Sequence, residues 1–141
     1  GYNSRLDAIQ AGILNVKIKK INAWNKMRKS NAMKYNSLLG ERVVKPFEDE
    51  NNKHVYHQYT ILTEKRDELQ KFLKFKGIDT MIYYPLPLHL NECYNGLNYK
   101  QGDLPISESL PGKVLSLPIH PYLTNEQIEF VANSLVEFFT E

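Results

Sequence analysis

A proline-free stretch from Leu6 to about Leu39, interrupted only by Gly12, constrains this chain more than any other feature. Ser4 stands at an N-cap position, and Asp7 places a carboxylate in the first turn, where the positive helix end favours it. Gly40 supplies a natural stop. One helix of some 30 residues, at ~1.5 Å per residue, is roughly 45 Å long. A domain of this chain's size has a radius of gyration of about 14 Å, so such a helix overhangs its own domain. Leu6, Ile9, Ile13, Val16 and Trp24 form one apolar stripe, and Leu14, Ile18 and Ile21 form a second, rotated from the first. A helix apolar on two sides is expected to pack against polypeptide the chain does not contain. The start at Gly1, without an initiator methionine, is read the same way.

Composition narrows the class. The 141 residues suffice for one domain with a real core, and their 42% hydrophobic and 24% charged content is that of a folded globular protein. A net charge of +2 is too small to argue for nucleic acid or an anionic membrane as the main partner. No apolar run approaches the ~20 residues of a membrane span. The single cysteine, Cys93, cannot form an internal disulfide, and a cytoplasmic location is the expectation.

Beyond the polar loop from Pro46 to Lys53, the pattern alternates. His54 to Thr63 is rich in β-branched and aromatic residues and predicts a strand. Arg66 to Lys76 predicts an amphipathic helix with Leu69, Phe72 and Leu73 inward, ended by Gly77. Thr80 to Tyr84 predicts a second strand, stopped by Pro85 and Pro87, and Leu90 to Gly102 an aromatic, Asn/Gly-rich loop. Pro105 opens a short helical turn, and Val114 to Ile119 predicts a third strand with Pro118 at its end. Thr124 and Gln127 form a capping-box pattern ahead of a helix whose apolar face is Ile128, Val131, Leu135, Val136 and Phe139. The expected fold is a small α/β (α+β) domain: a long N-terminal helix and a mainly three-stranded sheet flanked by helices. Residues 1–40 would be the helix and residues 41–141 the domain.

Few residues point to chemistry unaided. His54 and His57 fall on opposite faces of a strand and would not share a metal. His89 and His120 lie just beyond strands, where loops often carry function and where a lone histidine is more often ordinary loop polarity. Lys17, Lys19, Lys20, Lys26, Arg28, Lys29 and Lys34 scatter around the helix and read as a solvated face. No zinc spacing or glycine-rich phosphate loop is present, and nothing near Cys93 would stabilise its thiolate. Asn3, Ser4 and Arg5 at the helix start could form an anion site, although a plain N-cap explains them as well. The stretch Ile82-Tyr83-Tyr84-Pro85-Leu86-Pro87-Leu88-His89-Leu90 is the densest cluster of polar-tipped aromatics. Such a segment can line a ligand pocket or simply pack on both sides of a sheet; composition leaves both open.

Several segments together are more specific. Gly1-Tyr-Asn-Ser-Arg-Leu-Asp-Ala-Ile-Gln-Ala11 resembles the helix opening of the sugar aminotransferases of the DegT/DnrJ/StrS class, which depend on pyridoxal 5'-phosphate (PLP) and have the type I fold. His54-Val-Tyr-His-Gln-Tyr59, Arg66-Asp-Glu-Leu-Gln70, Gly77-Ile-Asp-Thr80, Tyr84-Pro-Leu-Pro-Leu-His-Leu90 and Val114-Leu-Ser-Leu-Pro-Ile-His-Pro121 are similar to that class in order and spacing. The resemblance spans essentially the whole chain. It implies a C-terminal domain with its connecting helix, lacking the upstream PLP-binding domain and its Schiff-base lysine. Such a piece alone would be inactive and is not expected to bind PLP. The same resemblance aligns Asn3 with a residue reaching the PLP phosphate of the other subunit of a homodimer. It aligns Arg5, Tyr83, Tyr84 and His89 with substrate-side positions. Many members carry histidine where Tyr83 stands, and glutamine where Asn91 stands. The implied reaction moves an amino group from glutamate to a nucleotide-linked keto-sugar for polysaccharide or lipopolysaccharide synthesis, with PLP holding the nitrogen between half-reactions. A sugar dehydratase of the same class and a stand-alone binding module are the alternative expectations.

Overall fold

The computed structural model describes residues 4–140. The predicted long helix is two helices, α1 (Ala8–Ile18) and α2 (Ile21–Leu39). At the junction the Lys20 N–H donates to the Lys17 carbonyl at 2.9 Å, a turn tighter than the α-helical one. Neither proline nor glycine marks the break. Lys17, Lys19 and Lys20 instead crowd the carboxyl end of α1, the pole that favours cations. The cap differs too: Asp7, not Ser4, caps α1, its carboxylate accepting the Ile9 N–H at 2.8 Å from an extended backbone.

Nothing on α1 is buried, and its apolar residues Ile9, Ile13, Leu14, Val16 and Ile18 are all exposed. On α2, by contrast, Ala32, Tyr35 and Leu39 sink one face into the core. Gly40 ends α2 at φ +59°, a conformation that a side chain would strain.

Two strands form the sheet, β1 (Tyr59–Leu62) and β2 (Val114–Leu117), antiparallel with Tyr59 opposite Leu117 and Ile61 opposite Leu115. The strand predicted over Thr80–Tyr84 is reduced to a single bridge, Met81 to Ser116, and a second bridge joins Val44 to Leu62 on the other edge. Pro85 and Pro87 cannot donate to a ladder, so pairing stops where they turn the chain away. The predicted strand from His54 also begins late. His54 Nδ1 accepts the Tyr56 N–H at 2.9 Å, and Tyr56 sits at φ +48°, which breaks the extended run.

The period-two pattern divides the sheet's faces. Tyr59, Ile61, Leu115 and Leu117 point into the core with Leu69 and Leu73 of α3 (Arg66–Phe75) and with Ile128, Val131, Ala132 and Leu135 of α5 (Asn125–Phe138). Thr60, Leu62, Val114 and Ser116 belong to the other face, where the Thr60 and Ser116 hydroxyls meet at 2.7 Å. Thr124 caps α5 with the predicted capping box, Gln127 N–H to Thr124 Oγ1 at 3.3 Å and Thr124 N–H to Gln127 Oε1 at 3.0 Å. Tethers then fix α2 to the segment before α5: Trp24 Nε1 donates to Tyr122 Oη at 2.7 Å, Asn31 Nδ2 to the His120 carbonyl at 2.9 Å, and Tyr35 Oη to the Pro118 carbonyl at 3.0 Å. The α/β character stands as expected, with the N-terminal helix divided in two and the sheet one strand narrower.

Candidate functional site

Between the Met81 bridge and β2 the chain leaves the sheet for some thirty residues and returns at Val114. Pro85 and Pro87 start this excursion, two 3-10 turns (Leu88–Leu90 and Glu92–Leu97) continue it, and α4 (Pro105–Ser109) brings it back. It wraps a cavity of about 620 Å³, lined by Tyr83 and Tyr84 on the leading arm, His89 in the first 3-10 turn, and Tyr94 and Tyr99 beyond it. Leu86, Leu88, Leu97, Leu104 and Leu110 make the rest largely apolar, and Val114 contributes from the sheet face opposite the core. A concave apolar wall with a few polar-tipped rings is the general form of a small-molecule site.

The Tyr83 and Tyr84 rings stand edge to face, 5.7 Å between centroids, across a cis peptide bond. Tyr84 is 69% exposed and Tyr83 36%. Both therefore offer ring and hydroxyl to a ligand rather than to the core. Tyr83 also borders a smaller cavity of about 200 Å³ with His57, Gln58, Asp79 and Thr80, so it stands between two recesses.

His89 is different. Only 8% exposed, it has Nε2 at 3.0 Å from Glu108 Oε1, and its ring meets Tyr99 edge-on at 6.1 Å. Glu108 in turn accepts the N–H groups of Gly102 (2.9 and 2.8 Å) and Leu104 (3.1 Å). The Gly102 N–H, with help from Leu104 and His89, holds the Glu108 carboxyl below the usual carboxylate range.

Of the residues picked out in the sequence, Tyr83, Tyr84 and His89 come together here. Arg5 does not line the cavity; it is exposed on the segment ahead of α1. Asn3 lies outside the described residues. His54 and His120 serve turns, each Nδ1 accepting an N–H two residues on. Among the described residues no group of three or more His, Cys, Asp or Glu could hold a metal ion. Glu108, Tyr94 and Tyr99 were missed. An acid in the first turn of a proline-started helix, after a loop of aromatics, was the available signal.

The model of the DegT/DnrJ/EryC1/StrS aminotransferase family matches residues 1–136. The chain belongs to this family. It is 49% identical, over 99% of its length, to the pleiotropic regulatory protein of Geobacillus stearothermophilus, of which it covers 38%. It is 40% identical, over 98% of its length, to dTDP-3-amino-3,4,6-trideoxy-alpha-D-glucose transaminase of Streptomyces venezuelae, covering 37% of that protein. Among solved structures, DesV of S. venezuelae in complex with a ketimine intermediate superimposes with TM-score 0.94 at 38% identity, covering 100% of this chain and 38% of that one. A DegT DnrJ EryC1 StrS aminotransferase from Brucella abortus gives 0.91 at 38% identity with the same coverage. The chain thus spans well under half the length of the relatives it matches.

PLP is the cofactor this aminotransferase family implies. The tyrosine-lined cavity does not fit it: among the described residues no lysine lines the wall to carry the aldehyde, and no arginine lines it to take the phosphate. No step through the cofactor is therefore placed on the described residues.

Proposed function

We propose that this chain is the substrate-side, C-terminal domain of a PLP-dependent nucleotide-sugar aminotransferase that works in the cytoplasm as a homodimer. The reaction is transfer of an amino group, from glutamate, to a nucleotide-linked keto-sugar for polysaccharide or lipopolysaccharide synthesis. The observation that carries this reading is the meeting of Tyr83, Tyr84 and His89 at one cavity in a chain that matches a sugar aminotransferase family along its length. Tyrosine rings pack on the flat faces of sugars and bases while their hydroxyls take up polar groups. Arg5 supplies a guanidinium suited to a diphosphate, and Asn3 an amide donor for the cofactor phosphate of the other subunit. The lysine that binds the cofactor, and the ring's other partners, belong to upstream polypeptide.

The exposed apolar residues of α1 support the same reading. Ile9, Val16 and Ile18, with Leu6 just ahead of the helix, are each more than 60% exposed, an arrangement that water alone does not favour. The upstream domain and the second subunit are their proposed cover.

The test is to restore the upstream polypeptide. The longer protein should show the absorbance of bound PLP and aminate a keto-sugar nucleotide at the expense of glutamate, and the 141-residue chain should do neither. Turnover by the isolated chain, or a longer protein without bound PLP, would refute the reading.

A further inference from the structure

The segment Asn98 to Leu104 is exposed throughout and belongs to no helix or strand, yet Tyr99 and Leu104 form one wall of the cavity. Its internal hydrogen bonds only close a turn: the Lys100 N–H donates to Asp103 Oδ2 at 2.8 Å, and the Asp103 N–H to the Lys100 carbonyl at 3.2 Å. Beside the Asn98 N–H, which donates to the Asn95 carbonyl at 3.3 Å, and the edge-on contact of the Tyr99 ring with His89, attachment to the rest of the fold runs through Glu108. Its carboxylate accepts the Gly102 and Leu104 N–H groups from the segment, and on its other side it meets His89 Nε2 at 3.0 Å. His89 belongs to the facing wall, whose turn is tied by Asn91 Nδ2 donating to the Pro87 and Leu88 carbonyls at 3.1 and 3.2 Å. Gly102 takes φ +97°, a conformation that strains any side chain, where its N–H reaches the carboxylate. Glu108 itself does not line the cavity.

We propose that Glu108 is a positioning residue: it fastens the Asn98–Leu104 wall to the His89 turn, and so sets the fit of the tyrosine-lined cavity to its sugar-nucleotide ligand. This rests on the reading of that cavity as the substrate site. Removing the carboxylate leaves two N–H groups and an imidazole without their acceptor, and among the described residues the edge-on contact of the Tyr99 ring with His89 at 6.1 Å is then the tie left between the wall and the turn. An ionised acceptor shared by several donors is the strong kind of hydrogen-bond hub.

Two measurements test it. In amide hydrogen exchange on the 141-residue chain, Glu108→Ala should speed exchange at Gly102 and Leu104 by about tenfold or more, the mark of a local opening. The amides of β1 and β2 should keep their wild-type protection, which certifies the fold. Glu108→Gln keeps an acceptor oxygen and should restore most of the protection. Unchanged exchange at Gly102 and Leu104 in Glu108→Ala overturns the proposal.

The second measurement uses the enzyme with its upstream polypeptide. Glu108→Ala should raise KM for the sugar nucleotide about tenfold, leave KM for the amino donor unchanged, and be largely rescued by Glu108→Gln. Faster exchange with an unaltered sugar KM also overturns it. A wild-type enzyme that turns over no keto-sugar nucleotide would instead strike the functional reading, while the exchange result still decides whether Glu108 fastens the wall.

Discussion

Tyr59 Oη donates to Asn36 Oδ1 at 2.6 Å, joining the first residue of β1 to α2 from inside the core. Tyr59 is fully buried and packs against Tyr35, with ring centroids 5.0 Å apart. Tyr59→Phe keeps the packing and leaves the Asn36 amide oxygen without this donor. A loss of about 1–2 kcal/mol is expected, read from denaturant unfolding with an unchanged m-value.

Burial pushes the Tyr35 and Tyr59 phenols above their ordinary range. A group whose folded pKa is raised contributes its full stability below the unfolded value and loses it as pH climbs. Melting temperature should therefore hold to about pH 10 and fall beyond it, as the unfolded tyrosines ionise first. In Tyr35→Phe the alkaline fall should be shallower.

At the acid end the sign reverses. The Lys29 ammonium, 2.7 Å away, holds Glu48 below the usual carboxylate range, with the His54 N–H and the Tyr56 hydroxyl assisting. Glu108 is held low by Gly102 and Leu104. Both contribute above the unfolded carboxyl pKa, about 4.3, and that contribution disappears as pH falls through their folded values. Thermal unfolding between about pH 5 and 2 should show the loss, and Glu48→Gln should flatten it.

Leu115 is fully buried opposite Ile61. Leu115→Ala should cost about 2–5 kcal/mol, the range for a lost core side chain and its residual cavity. Ile9→Glu together with Ile13→Glu should change the stability of the isolated chain by no more than about 0.5 kcal/mol, because both residues already face solvent. The same pair in the protein with its upstream polypeptide should block assembly, measured by sedimentation.

At the cavity, Tyr84→Ala should raise KM for the sugar nucleotide about tenfold with the amino-donor half-reaction unchanged, and Tyr84→Phe should fall between. Steady-state kinetics with each substrate varied separately separates these outcomes.

Local signals were legible where they were self-sufficient. Thr124 and Gln127 carry a complete capping box within four residues, so α5 begins where the sequence places it. Arg66 to Phe75 has a clean apolar stripe and α3 follows it. The break at Lys19–Lys20 was hidden because lysines are good helix formers and signal an end only by their position. The loss of the middle strand was hidden because Thr80 to Tyr84 has strand composition, while Pro85 and Pro87 decide how much of it can pair. Tyr83, Tyr84 and His89 stood out together in the densest cluster of polar-tipped aromatics, but composition left a pocket and plain packing equally open, and only the resemblance pointed to substrate-side positions. Glu108 stands 19 residues from the histidine it meets, and no periodicity links them.

The buried members of the core run from Ala32 to Ile78 and from Leu115 to Leu135, and the excursion that shapes the cavity adds to them only the partly buried Ile82 at its start, among the described residues. On the proposed function, ligand choice would thus be written in a stretch largely apart from the one that folds the chain. If that holds, the excursion is an exchangeable cassette mounted on a fixed chassis, and transplanting it whole between relatives should carry preference for one sugar over another while the recipient's melting point stays put.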